Sequence, residues 1–199
     1  DELIIMHDDN FLRTTGIDQV LYDLNSAELA AYNQANIWMD WEKQITPTLN
    51  QSLKIMQDFE HIEVEVKAVE TLQHAEQLII ELQKQLRGFE NVAVITSFDL
   101  KIHQALQQQN SSFKRGLLIE DDIQQRAIEQ ALQLGCCQIG WMNQLATDEL
   151  IQATQRAGLG ISVWTVNDIE RAKHLRDLGI NGLITDFPKM MQLALAQIQ

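Results

Sequence analysis

Short β-branched runs recur along the chain at nearly even intervals, each followed by an amphipathic stretch. Strands are predicted at Leu3–Met6, Ile62–Lys67, Val92–Ser97, Gly116–Ile119, Cys136–Gly140, Ile161–Val166 and Gly182–Thr185. From Ile62 onward their starts fall 20 to 30 residues apart, room for a strand, about three helical turns and two short loops. Helix starts are marked by Thr48-x-x-Gln51, Asp122-x-x-Gln125 and Asn167-x-x-Glu170, each a side-chain acceptor followed three residues later by Glu or Gln. Leu72, Ala75, Leu78, Ile79 and Leu82 form one apolar helix face, and Gly135, Gly158 and Gly179 stand where helix ends need a left-handed residue. Repeated strand–helix units imply a parallel sheet covered by helices. The sequence holds no Gly-x-Gly-x-x-Gly and no Walker-type loop, so a barrel is expected rather than an open nucleotide-binding sheet. A full barrel of eight units takes ~250 residues, and the 199 here fall short of that. Residues 7–46 break the rhythm and read as an insertion on the barrel rim, with a short helix at Ser26–Tyr32 and with Trp38 and Trp41 packing it.

Composition narrows the partners. A net charge of −13 disfavours nucleic acid or an anionic membrane surface. An anionic substrate would need a metal or a few buried cations to hold it. No apolar run approaches the ~20 residues of a membrane span, so no stable membrane insertion is expected. The two cysteines, Cys136 and Cys137, are adjacent and cannot staple distant segments; free thiols in a reducing, cytoplasmic setting are expected. The sequence does not fix an oligomeric state.

The segment from His61 to Lys67 alternates strictly. Ile62, Val64 and Val66 share one face, and Glu63, Glu65 and Lys67 share the other. The apolar face must meet the helices, so two carboxylates and an ammonium point into the barrel, where branched aliphatics are usual. Burying them costs several kcal/mol unless they pair or bind a metal. Active sites lie at the C-terminal ends of barrel strands, which selects Glu65 and Lys67 and leaves Glu63 a layer deeper. A space-filling ion pair, or an edge strand with a wet face, explains the same pattern. Asp99, Asn167 and Asp186 read as helix N-caps. His61 lies away from the mouth. His74, His103 and His174 read as surface residues of helices, Cys136 and Cys137 receive no catalytic role, and Glu120-Asp121-Asp122 reads as a solvated loop and cap.

Several of these strand ends resemble a known family. His7-Asp-Asp-Asn-Phe-Leu-Arg13-Thr14-Thr15-Gly16 resembles the His-Asp-x-x-Leu-x-Arg-Thr-Thr-x-Gly segment of glycerophosphodiester phosphodiesterases. In the family's order follow Glu65-Val-Lys67 for its Glu-x-Lys strand and Val163-Trp164-Thr165-Val166-Asn167 for its Trp-Thr-Val-Asn strand. Gly179-Ile-Asn-Gly182-Leu-Ile-Thr185-Asp186-Phe-Pro188 resembles its closing strand, with Asn181 in place of the usual Asp. Thr46-Pro47-Thr48-Leu49 resembles its Pro-Thr-Leu helix entry.

The resemblance implies an α/β fold, a (β/α)8 TIM barrel of the phosphodiesterase type. It implies hydrolysis of a small glycerophosphodiester to glycerol 3-phosphate and an alcohol, with Ca²⁺ or Mg²⁺. Glu65 would be a metal ligand, Lys67 a point charge on a phosphate oxygen, His7 one of two acid/base histidines, and Trp164 a wall for the glycerol carbons. The family's His-Arg-Gly occurs nowhere in this sequence, and its Glu-x-Asp strand end has no counterpart ahead of His7, where the family's order places it. On the resemblance six barrel strands are represented, lacking the first two strands and first helix. The 199 residues then form a single incomplete barrel domain: hairpin arm and rim insertion over 1–46, remaining units over 47–199. Little or no activity is expected of them alone. A related barrel phosphodiesterase or phospholipase, or a non-catalytic barrel binding a phosphorylated ligand or a protein, is the alternative.

Overall fold

The structure is a computed structural model and describes residues 2–196. The ends of the expected domain, residue 1 and residues 197–199, lie outside the described residues. The chain divides into two compact units, 1–60 and 61–199.

In the first unit, pairing at the Leu3–Met6 run is limited. Ile4 bridges Thr48 antiparallel, with Ile5 N–H donating to the Pro47 carbonyl and Leu49 N–H to that of Leu3, each at 2.8 Å. The expected strand shrinks to this single bridge. Pro47 has no N–H to extend the ladder, and Thr48 already leaves for a helix. The helices are α1 (Leu12–Thr15), α2 (Ser26–Leu29) and α3 (Leu49–Ile55), with a 3-10 turn at Leu21–Asp23. Helix α3 starts with the capping box read from the sequence, Thr48 and Gln51 each bonding the other's backbone N–H. Phe11 is fully buried and stacks on Tyr32 with centroids 4.4 Å apart.

The second unit alternates strand and helix throughout: β1 (Ile62–Glu65), α4 (Leu72–Gln85), β2 (Ala93–Ser97), α5 (Leu100–Gln108), β3 (Lys114–Ile119), α6 (Gln125–Gln133), β4 (Gln138–Met142), α7 (Asp148–Arg156), β5 (Gly160–Trp164), α8 (Ile169–Asp177), β6 (Gly182–Leu183) and α9 (Pro188–Ala196). The six strands are parallel and lie in sequence order from β1 to β6. A doubly wound sheet reverses its order part-way; this one winds in one direction, as a barrel does.

The sheet is strongly rolled. Five strand spacings would put β1 and β6 about 24 Å apart in a flat sheet. Instead Glu63 Oε1 on β1 lies 3.8 Å from where a Cβ on Gly182 of β6 would sit. Glu63 also crosses the interior to accept a 2.6 Å hydrogen bond from Gln138 Nε2 on β4. The unit is a parallel half-barrel of six strands.

Alternation along each strand separates two faces. Leu117, Ile119, Ile139, Trp141, Ile161 and Val163 join Ala127, Ile128, Ala131, Ile151, Ala172 and Leu175 of the helices in one apolar cluster. At roughly 1.5–3 kcal/mol for each large buried side chain, this outer layer holds helices to sheet. The inward face sets polar and small residues, Glu63, Gln138, Gly140 and Ser162, beside the apolar Val94 and Leu118. Gly140 is needed there, because a Cβ would stand 2.5 Å from Leu118 Cδ2 and 3.2 Å from Ser162 Oγ.

Two expected caps move. Helix α6 begins at Gln125 after Gln124 at φ 50°, with no side-chain cap, so Asp122 does not open it. The Ile123 N–H bonds the Asp121 carbonyl at 2.8 Å, and this tight turn displaces the start. Helix α8 is capped by Asp168, which accepts from Arg171 N–H at 2.7 Å. Asn167 is freed to bond the β6 loop instead. Gly135, Gly158 and Gly179 do take positive φ after α6, α7 and α8.

Candidate functional site

Parallel strands bring their C-terminal ends to one edge of the sheet. Glu65 closes β1, and Lys67 follows on the same face two residues later. Lys67 Nζ donates to Glu65 Oε1 at 2.5 Å, both side chains about one-third exposed. An ion pair this wet contributes about 0–1 kcal/mol, so fold stability is a poor account of it. Lys67 can exchange Glu65 for another anion at small cost. Glu63, one layer deeper, is held by Gln138 and touches His61 Nε2 at 3.3 Å.

Trp164 closes β5. Its indole N–H donates to the Gly140 carbonyl at 3.0 Å, and Phe98, after β2, meets the ring edge-on at 5.3 Å. Beyond it, Asn167 binds Thr185 and Asp186 in the turn after β6. Its Nδ2 donates to Asp186 Oδ2 at 2.7 Å, and its Oδ1 accepts from Thr185 Oγ1 and Asp186 N–H, each at 3.0 Å. These bonds tie the end of β5 to the end of β6.

His7 lies in the first unit, where its motif folds on itself. Asp8 accepts from Arg13 Nε at 2.7 Å and faces His7 Nδ1 at 2.6 Å. The Arg13 guanidinium foremost, then His7, hold the Asp8 carboxyl below the usual carboxylate range, with burial offsetting part of the effect. With Nδ1 on Asp8, the His7 imidazole is largely exposed, at 77 %. The Thr-Thr pair is structural: Thr14 Oγ1 bonds Gln34 and Thr15 Oγ1 bonds the Phe11 carbonyl, ending α1 at Gly16 with φ 76°.

Behind the ends of β1 and β2 lies a buried chain of hydrogen bonds that the sequence pattern does not reveal. His103 is fully buried in α5, not a surface residue as expected. Its Nε2 donates to the Ser97 carbonyl at 3.1 Å, and Cys136 Sγ lies 3.7 Å from its Nδ1, an arrangement that fits the neutral ring. Burial pushes the imidazole below its ordinary range and the Cys136 thiol up to about 12. Ser97 Oγ in turn donates to the Val66 carbonyl at 2.7 Å. A signal was available: His103 sits between Ile102 and Leu106 on the buried side of α5.

The divalent ion implied by the family pattern needs several hard oxygen ligands. Among the described residues no group of three His, Cys, Asp or Glu side chains is placed to hold one. Glu65 is a single carboxylate already paired with an ammonium. The residues present do not fit a metal centre. Also among the described residues, no helix is long and apolar enough to cross a membrane.

The sequence matches the model of the glycerophosphoryl diester phosphodiesterase family over residues 1–190. It is 25% identical to YhdW of Bacillus subtilis (strain 168), a candidate glycerophosphodiester phosphodiesterase, over 94% of this chain and 78% of that protein. The fold is similar to an Oleispira antarctica phosphodiesterase crystallised with the product sn-glycerol-3-phosphate, at a TM-score of 0.80 and 19% identity, over 98% of this chain and 79% of that one. A glycerophosphodiester phosphodiesterase from Thermotoga maritima gives a TM-score of 0.73 at 22% identity, over 96% and 79%. The chain belongs to the glycerophosphoryl diester phosphodiesterase family, whose members are phosphoric diester hydrolases.

Proposed function

We propose that the protein hydrolyses glycerophosphodiesters to glycerol 3-phosphate and an alcohol, and that these 199 residues supply the phosphate- and glycerol-binding side of the site. The observation that carries this is the Lys67–Glu65 pair at the C-terminal end of β1: a cation held loosely by a partly wet carboxylate. On a chain of net charge −13, an anionic diester is admitted only where such a cation neutralises a phosphoryl oxygen. Lys67 does so as a point charge. Trp164, fixed by Gly140 and Phe98, offers an indole face to the glycerol carbons. His7 serves one proton transfer, with Asp8 on Nδ1 leaving Nε2 as the nitrogen that carries the proton.

The six strands stand for the third to eighth strands of a (β/α)8 barrel, and the groups needed for the second proton transfer are not among these residues. The 199 residues alone therefore turn over little substrate. Two free cysteines, one buried, support a reducing cytoplasmic setting.

The test is ligand selectivity. Titration calorimetry of the 199-residue chain with sn-glycerol 3-phosphate, choline phosphate and inositol phosphate should give the tightest binding for the first. Preference for either of the others would reassign the substrate to a sphingomyelin- or phosphatidylinositol-type diester. Phosphorus NMR of glycerophosphocholine incubated with the chain should show little product; rapid release would contradict the incompleteness of the catalytic set.

A further inference from the structure

We propose that Ser97 and Asp99 are positioning residues for Lys67, clamping the segment after β1 on both sides of that lysine. The proposal rests on Lys67 as the phosphate-binding cation. Regular pairing of β1 ends at Glu65, and β1 is an edge strand. From Val66 onward the chain is held from the β2 side. Val66 N–H donates to the Thr96 carbonyl at 2.8 Å, and the Val66 carbonyl accepts from Ser97 Oγ at 2.7 Å. Three residues later Val69 N–H donates to Asp99 Oδ2 at 3.1 Å. Lys67 and Ala68 lie between these anchors.

The clamp is itself rigid. Ser97 is fully buried, its hydroxyl also accepts from Asp99 N–H at 3.0 Å, and its carbonyl is held by His103. The Asp99 side chain is 8 % exposed, and its Oδ1 caps α5 through Lys101 N–H at 2.9 Å. Burial would raise the Asp99 pKa, but the Lys101 and Val69 amides and the Lys101 ammonium outweigh it and hold the carboxyl below its usual range. The same carboxylate thus fixes a helix start with one oxygen and the Lys67 segment with the other. The Glu65 pair, one-third exposed, cannot supply that rigidity. Misplacing a binding group by about 1 Å costs on the order of 100-fold in a reaction that depends on it.

The test separates tethering from general stability. Asp99→Ser keeps a good N-cap for α5 but is too short to hold Val69 as well; Ser97→Ala removes the other anchor. Each variant of the 199-residue chain is compared with wild type by amide hydrogen exchange at Val66 and Val69 and by calorimetric titration with sn-glycerol 3-phosphate. Lys67→Met and the remote α6 variant Ala127→Gly are controls. The expected result is exchange at Val69 at least tenfold faster and affinity about tenfold weaker in both clamp variants. Ala127→Gly should lower global stability without changing affinity. Unchanged exchange at both amides overturns the clamp. Faster exchange with unchanged affinity, while Lys67→Met loses affinity, overturns the positioning role and leaves the functional reading standing. Wild type that does not bind, or Lys67→Met that binds as wild type, refutes the functional reading, and the clamp is then decided by the exchange rates.

Discussion

Gln138→Leu removes the donor that reaches Glu63 across the half-barrel. The bond is short, at 2.6 Å, and joins residues 75 apart in sequence, so it ties the edge strand β1 to β4. A hydrogen bond to a charged partner contributes about 1.5–3 kcal/mol net. In the variant the Glu63 side chain, 19 % exposed, keeps the exposed His61 ring at 3.3 Å. A desolvated carboxylate without its donor should therefore cost about 2–3 kcal/mol. Glu63→Met leaves Gln138 with Ser162 Oγ at 3.4 Å and should cost less. With both replaced no charge is stranded, so the double variant should be more stable than the sum of the singles requires. Urea unfolding followed by circular dichroism gives the coupling, expected at roughly 1.5–3 kcal/mol. A coupling below about 0.5 kcal/mol, the range of independent sites, would refute the argument that this pair holds the sheet rolled.

Three further perturbations follow from the same geometry. His103 is buried neutral with its pKa depressed, so below the unfolded value near 6.5 the unfolded chain binds the extra proton. Its contribution is complete above that pH and is lost as pH falls toward the folded pKa, at up to about 1.4 kcal/mol per pH unit. Between pH 7 and 5.5 wild type should lose stability faster than His103→Gln; parallel curves would contradict the buried neutral ring. Gly140→Ala places a Cβ 2.5 Å from Leu118 Cδ2. Overpacking of that kind costs roughly 1–3 kcal/mol, read as a lower melting temperature, and an unchanged one would show that Leu118 moves freely. Millimolar Ca²⁺ or Mg²⁺ should stabilise the 199 residues by less than about 0.4 kcal/mol, the effect of a Kd of 1 mM at 1 mM ion. A larger shift would reveal ligands that the described residues do not bring together.

Much of this was legible in the sequence because two periodicities carry it. The alternation in Ile62–Lys67 put Glu63 on the inward face and Glu65 with Lys67 at the strand end, and the pair does form. Even strand spacing pointed to a barrel, and the six strands do run in sequence order; Gly135, Gly158 and Gly179 marked three helix ends. Helix starts were less secure: Thr48 caps as expected, whereas Asn167 and Asp122 do not, because each neighbourhood offers a competing bond that sequence spacing cannot weigh. Leu3–Met6 has strand composition, yet Pro47 opposite it stops the ladder. His103 was misplaced since a histidine in a helical pattern reads as polar; only tertiary packing supplies the Ser97 carbonyl that satisfies it. The Ser97 and Asp99 anchors were invisible for the same reason, their partners being some 30 residues away.

On the proposed function, Lys67 leaves Glu65 to take a phosphate oxygen. Calorimetric titration of sn-glycerol 3-phosphate into wild type, Lys67→Met and Glu65→Gln tests it most directly. Removing the ammonium should weaken binding at least tenfold, about 1.4 kcal/mol. Neutralising its competing carboxylate should leave binding equal to wild type or tighter. Equal affinity for wild type and Lys67→Met, or weaker binding by Glu65→Gln than by Lys67→Met, would contradict the account.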